Sequence, residues 1–311
     1  MSLIRFQPIY LERVWGGRKI ETLYGRPLPP ALVIGESWEL VDRKEAQSVV
    51  TSAHYRGQTL HDLWLNKREN IFGTQAPDVD RFPLLIKILD AQDKLSLQVH
   101  PPEPIAKELN SESKTEAWYF VETQPNAEIF LGVKKGVTES SLSQAMRNHT
   151  VIDQLNRYHP QPGEVAFIPA GCLHAIGGGN LIVEVQQNAD TTYRLHDWDR
   201  VDAQGKLRSL HPDEAMKSII WQGKEMPPHA LLEKNPLITP FFSLKQQKLT
   251  QPFLWESDPN TFQLIFVIEG RARWGNEIVQ KGEFVLVPAM EASDKIFPEK
   301  PTTLLITQWG V

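Results

Sequence analysis

Short stretches that are apolar or alternate apolar with polar residues recur along the chain between prolines and glycines: RFPLLIKILD (81–90), KLSLQVH (94–100), EAWYFVE (116–122), AEIFLGV (127–133), EVAFIP (164–169), NLIVEVQQ (180–187) and TTYRLHD (191–197). Their shortness and their β-branched and aromatic content predict strands. Strands so closely spaced predict a sandwich or barrel rather than βαβ units. Helical periodicity shows in three places: TLHDLWLNKRENIFG (59–73), TESSLSQAMRNHTVIDQLNRY (138–158) and HPDEAMKSIIWQG (211–223). Thr59 and Thr138 are suited to cap the first two, and Pro212 to stand in the first turn of the third. These predict helices packed outside a β core.

An internal repeat sharpens the architecture. GEVAFIPA at 163–170 returns as GEFVLVPA at 282–289, and each copy lies downstream of an aromatic strand containing Phe-Val, EAWYFVE in the first and FQLIFVIEG in the second. Duplicated β-barrel units explain the pair. In this alignment His174 corresponds to Ser293 and Glu116 roughly to Phe262, so the first copy keeps a polar site that the second fills in. The Pro-rich segment GKEMPPHALLEKNPLITP (223–240) predicts the linker, dividing the chain into residues 1–235 and 236–311.

Composition narrows the function. With 311 residues, 41% of them hydrophobic, the chain can bury two cores. A net charge of -5 gives no electrostatic reason to expect a nucleic acid or a membrane surface as partner, and an anionic ligand would need a local cluster of Lys and Arg. The start does not resemble a signal peptide and no apolar run has the length of a membrane span. The single cysteine, Cys172, rules out an intrachain disulfide and fits a reducing compartment, so a cytoplasmic protein is expected. Oligomeric state stays open.

Candidate chemistry gathers on LSLQVH. Residues two apart on a strand share a side, so Leu95, Leu97 and Val99 are expected to seal a core while Ser96, Gln98 and His100 line something polar. Glu116 and His174, each at the boundary of a predicted strand, are the strongest partners for Gln98 and His100. Two imidazoles, a carboxylate and an amide oxygen form a borderline donor set that suits Zn²⁺, and also Fe²⁺, Mn²⁺ or Co²⁺. Lys87 stands inside an apolar strand and needs a partner or a cavity. Trp15, Gly16 and Gly17 read as a packed turn, most tryptophans as core, and Cys172 as a small buried filler. The histidines at 54, 61, 149, 159, 196, 211 and 229 have no ligand context.

GEVAFIPAGCLHAI resembles the second motif of the cupin superfamily at Gly163, Pro169, Gly171 and His174, and Gln98-Val99-His100 is similar to an altered first motif. With LSLQVHP, KTEAWY, ADTTYR, VWGGRKI and IGESWELV, the chain resembles the type I mannose-6-phosphate isomerases over nearly its whole length. The short interval between Glu116 and His174 leaves little room for the helical insert of the long enzymes, so the likeness is to the short bacterial form. It implies a mainly β fold, two cupin (jelly-roll) barrels in tandem with a few peripheral helices, of which residues 1–235 bind metal and 236–311 lack the ligands. It further implies one Zn²⁺ per chain on Gln98, His100, Glu116 and His174, and a sugar phosphate as substrate.

Lys114, Asp190, Arg194 and Lys87 match further family positions: Lys114, Asp190 and Arg194 are candidates for catalysis, and Lys87, Lys114 and Arg194 for binding substrate. Ser113 stands where the long enzymes carry histidine, so a role for that histidine does not transfer, and an extra residue before Glu184 blurs its correspondence. Isomerising an aldose phosphate to a ketose phosphate through a cis-enediol(ate) needs a proton acceptor and stabilisation of oxygen charge. Lys114, Asp190 and Lys87 are the candidate bases, and Arg194 offers a fork of donors for an oxyanion or a phosphate. Asp190 and Arg194 can equally form a plain ion pair. An iron-dependent cupin dioxygenase and a non-catalytic sugar- or metal-binding cupin are the rival readings.

Overall fold

The computed structural model describes residues 3–309 apart from 202–204, 222, 224 and 232. Within these the chain is mainly β with a few short helices. A seven-stranded sheet runs β1 (Ile9–Gly17), β2 (Ile34–Leu40), β5 (Leu84–Ala91), β12 (Asn180–Gln187), β7 (Glu116–Thr123), β10 (Glu164–Ile168) and β14 (His229–Ala230), with a small ribbon of β3 (Asp42–Arg43) and β4 (Ala46–Gln47) formed between β2 and β5 in sequence. A five-stranded sheet of β13 (Tyr193–His196), β6 (Leu97–Val99), β11 (His174–Ile176), β8 (Ile129–Val133) and β9 (Leu155–Tyr158) packs on it. The C-terminal sheet follows the order β15 (Leu237–Ile238), β16 (Phe242–Leu249), β21 (Asp294–Trp309), β18 (Gln263–Trp274) and β19 (Glu277–Gln280), with β17 (Phe253–Trp255) on β21 and β20 (Phe284–Val287) on β18.

Strand alternation divides the side chains among separate cores. On the large sheet Leu89, Trp118, Phe120, Ala166 and Ile182 point inward and meet Ile129, Leu131 and Ile176 of the small sheet. The opposite face, with Ile86, Ile88, Tyr119 and Val183, packs on Phe242, Leu244, Phe262 and Phe266 of the C-terminal sheet and on Leu63 and Trp64 of helix α2 (Leu60–Asn66). The outer face of the small sheet, Leu97, Val99 and Ala175, is covered by Leu142 of α4 (Glu139–Arg147) and Ala215 of α5 (Pro212–Ser218). The C-terminal sheet also encloses its own core around Val267, Trp255 and Trp274, to which Leu3 contributes, and Ile4 bridges to Leu286.

Several expected elements take a different form. The helix expected over 59–73 ends at Asn66 and is followed by a π turn at Arg68–Phe72, because Lys67 leaves helical geometry at φ -137°. Thr59 does cap it, in a reciprocal box with Asp62. The stretch 138–158 is a helix only to Arg147. His149, at φ 56°, turns the chain into a 3₁₀ segment and then into β9, paired with β8. In the third, α5 stops at Ser218, and Gln222 lies outside the described residues. Lys224 and Leu232 of the expected linker do so too, while β14 and β15 form within it. Trp15, Gly16 and Gly17 end strand β1 rather than making a turn: a Cβ on Gly16 would lie 2.4 Å from the Gly35 amide nitrogen of the adjacent strand.

The two repeat copies occupy equivalent places. β10 pairs with β7 and β20 with β18, each after a glycine with positive φ, Gly163 at 89° and Gly282 at 84°. Their register corrects the alignment by one residue. Ile168 faces Glu116, and its counterpart Val287 faces Gln263, not Phe262. Gln263 accepts a hydrogen bond from the Trp255 indole, so the position that carries a carboxylate in the first sheet is an amide tied to a core aromatic in the other.

Candidate metal centre and its cleft

Strand pairing brings the four predicted ligands together. His174, at the start of β11, sits beside Gln98 of β6, while Glu116 opens β7 in the facing sheet. His100 follows β6 directly, and its carbonyl accepts from the Gly171 amide at 2.7 Å, which ties the motif loop to this strand. Gly171 has φ 87° and a Cβ there would meet Ile220 at 2.6 Å, so glycine is required at that approach. His100, Glu116 and His174 place one ligand atom each within 4.8 Å of one another, all buried.

Hydrogen bonding sets the imidazole tautomers. His100 Nδ1 lies 2.8 Å from the Thr191 carbonyl and His174 Nδ1 2.9 Å from that of Cys172. A carbonyl only accepts, so each Nδ1 carries the proton and each Nε2 turns a lone pair to the centre. His100 Nε2 lies 3.5 Å from Glu116 Oε2 and His174 Nε2 3.5 Å from Oε1. Burial, helped by Lys114, brings the His100 pKa down to about 4, and burial lowers that of His174. Burial works against the Glu116 carboxylate, but Lys114 holds it well below the usual range. Neutral imidazoles beside an ionised carboxyl are the protonation states a cation needs. His100 Nε2 and Glu116 Oε1 are buried without a hydrogen-bond partner, a cost that a bound cation would relieve.

Gln98 stands beside these three. Its Nε2 lies 3.3 Å from His174 Nε2 and its Oε1 accepts from Ser96 Oγ at 3.0 Å. A half-turn of the amide would present oxygen to the centre, and the Ser96 hydroxyl, which can donate or accept, supports either orientation.

From this centre a row of charges of alternating sign, buried near the centre and half-buried at its far end, follows the inner face of the large sheet. Lys114 Nζ stands 2.7 Å from Glu116 Oε2 and 3.8 Å from Glu184 Oε1. Lys87 Nζ stands 3.4 Å from Glu184 Oε1 and 4.0 Å from Glu36 Oε2. Arg13 Nε closes the row at 2.8 Å from Glu36 Oε1, and the Trp38 indole donates to Glu36 at 2.7 Å. Burial disfavours the Glu36 carboxylate, yet Lys87 and Arg13 outweigh it and bring its pKa down to about 2. Burial likewise opposes the Lys114 ammonium, and Glu116 and Glu184 more than offset it, raising its pKa. A cleft of about 480 Å³ opens above the row, lined in part by Trp15, Gln98, Lys114, Asp190, Arg194 and Arg208.

The structure thus brings Gln98, His100, Glu116 and His174 together and sets Lys87, Lys114, Asp190 and Arg194 on the cleft wall. Asp190 is exposed, and no ion pair joins it to Arg194. Leu95 departs from expectation. It precedes the regular strand, packs with the inter-sheet core and lines the cleft, whereas Leu97 and Val99 face the helices. Cys172 is a buried filler, its thiol pushed by burial up to about 12. Glu184, blurred in the alignment, is in the row, and alternation along NLIVEVQQ was a signal for it, since it shares its face with Ile182. Arg13, Glu36, Arg208 and His211 were missed as cleft residues, because no spacing in the sequence connects them.

Comparison with known proteins agrees with this geometry. Residues 3–131 match the model of the phosphomannose isomerase type I catalytic domain. The chain is 37% identical over 302 residues to mannose-6-phosphate isomerase ManA of Bacillus subtilis (strain 168), covering 91% of this chain and 92% of that one. It is 32% identical over 300 residues to the mannose-6-phosphate isomerase of Streptococcus mutans, again covering 91% and 92%. The crystal structure of the mannose 6-phosphate isomerase from Bacillus subtilis superposes with a TM-score of 0.87 at 28% identity over 99% of each chain. A mannose 6-phosphate isomerase crystallised with zinc and yttrium shares the fold, with a TM-score of 0.77 at 16% identity over 100% of each chain. Among the described residues no helix is long and apolar enough to cross a membrane.

Proposed function

The chain belongs to the type I phosphomannose isomerase family and interconverts mannose 6-phosphate and fructose 6-phosphate, and from that premise we propose which of its side chains hold the metal and which move the proton. Gln98, His100, Glu116 and His174 hold one zinc ion per chain. The observation that carries this is the pair of Nδ1-protonated imidazoles aiming bare Nε2 atoms at a buried, ionised Glu116. A bound zinc ion would supply Lewis-acid polarisation of substrate oxygen, with no redox change.

The remaining work falls to the wall of the cleft. Lys114 is held as an ammonium group by Glu116 and Glu184, which fits it to donate to substrate oxygen rather than to remove a proton, and Lys87 stands beside Glu184 and Glu36 on the same wall. Asp190 has no ion pair among the described residues and lines the same space, so it is the group assigned to take the proton from carbon. Arg194 receives charged oxygen at the mouth. Residues 1–235 form the metal-binding unit and 236–311 the unit without ligands, apart from the first strand-like residues, which lie on the latter. Cytoplasmic residence belongs to the same reading.

A coupled assay for fructose 6-phosphate formation tests it. Activity is expected to vanish on chelation and to return with one equivalent of zinc per chain. Full activity in chelated, metal-free protein would contradict the assignment.

A further inference from the structure

We infer that Arg208, held by buried Asp197, clamps the phosphate of the substrate together with Arg194 at the mouth of the cleft, and so selects phosphorylated sugar; this rests on the isomerase reading above. The distribution of charge points there. On the floor every cation already faces carboxylates: Lys114 faces Glu116 and Glu184, Lys87 faces Glu184 and Glu36, and Arg13 faces Glu36. At the mouth the pairing is less complete. Arg200 and Arg208 both pair with Asp197, Arg200 also lies 3.6 Å from Asp93, and among the described residues no carboxylate lies within ion-pair distance of Arg194.

The geometry at the mouth is that of a prepared clamp. Arg208 Nε donates to Asp197 Oδ2 at 2.6 Å and its Nη2 to Oδ1, a fork in which Nη1 takes no part. Arg200 Nη2 donates to the same Oδ1 at 2.6 Å, and Asp197 itself is 5% exposed, so the anchor is rigid. Arg194 Nη1 donates at 2.8 Å to the carbonyl of Ser209, the neighbour of Arg208, which fixes the two arginines relative to each other. Arg194 Nε is buried with no partner. Burial and then the nearness of Arg208 lower the Arg194 pKa, a repulsion that a bound anion would relieve. Both arginines line the cleft, and planar guanidinium forks match phosphate oxygens. Asp190 on the same wall is exposed, so solvent screens its opposition.

The test uses wild type, Arg208→Ala and Arg208→Lys, each with its zinc content and melting temperature measured. Loss of one charged clamp residue is expected to raise KM for mannose 6-phosphate by about 10- to 100-fold. Removing binding common to ground and transition states leaves kcat within about threefold. Competitive inhibition by inorganic phosphate, and its binding by calorimetry, should weaken by a similar factor, with Arg208→Lys intermediate. Unchanged KM and phosphate affinity in Arg208→Ala would overturn the inference, as would a fall in kcat at constant KM. Wild type that fails to turn over mannose 6-phosphate would defeat the isomerase reading instead, and the phosphate calorimetry would still decide the role of Arg208.

Discussion

Replacing His100 or His174 by alanine is expected to abolish both metal retention and turnover. Each ring supplies one unprotonated Nε2, and each is oriented by a backbone carbonyl, from Thr191 and Cys172. Changes to such supporting partners alone cost roughly 10- to 100-fold in affinity or activity, so removal of a donor atom itself should exceed that. The lost ring also leaves the buried Glu116 carboxylate with one fewer neighbour, which further weakens the site. Metal per chain after dialysis and the coupled assay are the readouts, with a thermal melt to confirm folding. Preserved turnover in either variant would contradict the ligand assignment.

The second large effect is expected at Lys114. Its ammonium lies 2.7 Å from Glu116 Oε2 and is 4% exposed, so it is a buried charge beside the proposed ligand and on the cleft wall. Lys114→Met keeps the length of the side chain and removes the charge. Turnover should fall by about 10²–10³, as when a preorganised charge donor is removed. KM should move much less, because most of the binding is assigned to the mouth of the cleft. Zinc should stay bound, since the four donors remain. A variant that loses zinc at native rates of reconstitution would give Lys114 a structural role, and one with native kcat would remove it from the chemistry.

Legibility in the sequence followed how local each signal was. The row Ser96, Gln98 and His100 could be read from a period of two although regular strand covers only Leu97–Val99, whereas Leu95, two residues before that strand, packs with the inter-sheet core. The repeat led to equivalent strands, yet the one-residue offset between Phe262 and Gln263 needed hydrogen-bond register to detect. Helical period without a termination signal overran at Lys67 and His149, where single residues with non-helical dihedrals end the run. Arg13, Glu36 and Arg208 come from separate segments and meet only through tertiary packing. Glu36 sits on β2 next to β5, so its nearness to Lys87 follows from sheet order, which sequence does not supply.

The most direct measurement is anomalous diffraction from crystals of the zinc-loaded protein at the zinc edge. One strong peak is predicted between the two sheets, in contact with His100 Nε2, His174 Nε2, a Glu116 oxygen and the Gln98 amide oxygen. Absence of any peak there, with zinc bound elsewhere on the chain, would contradict the account.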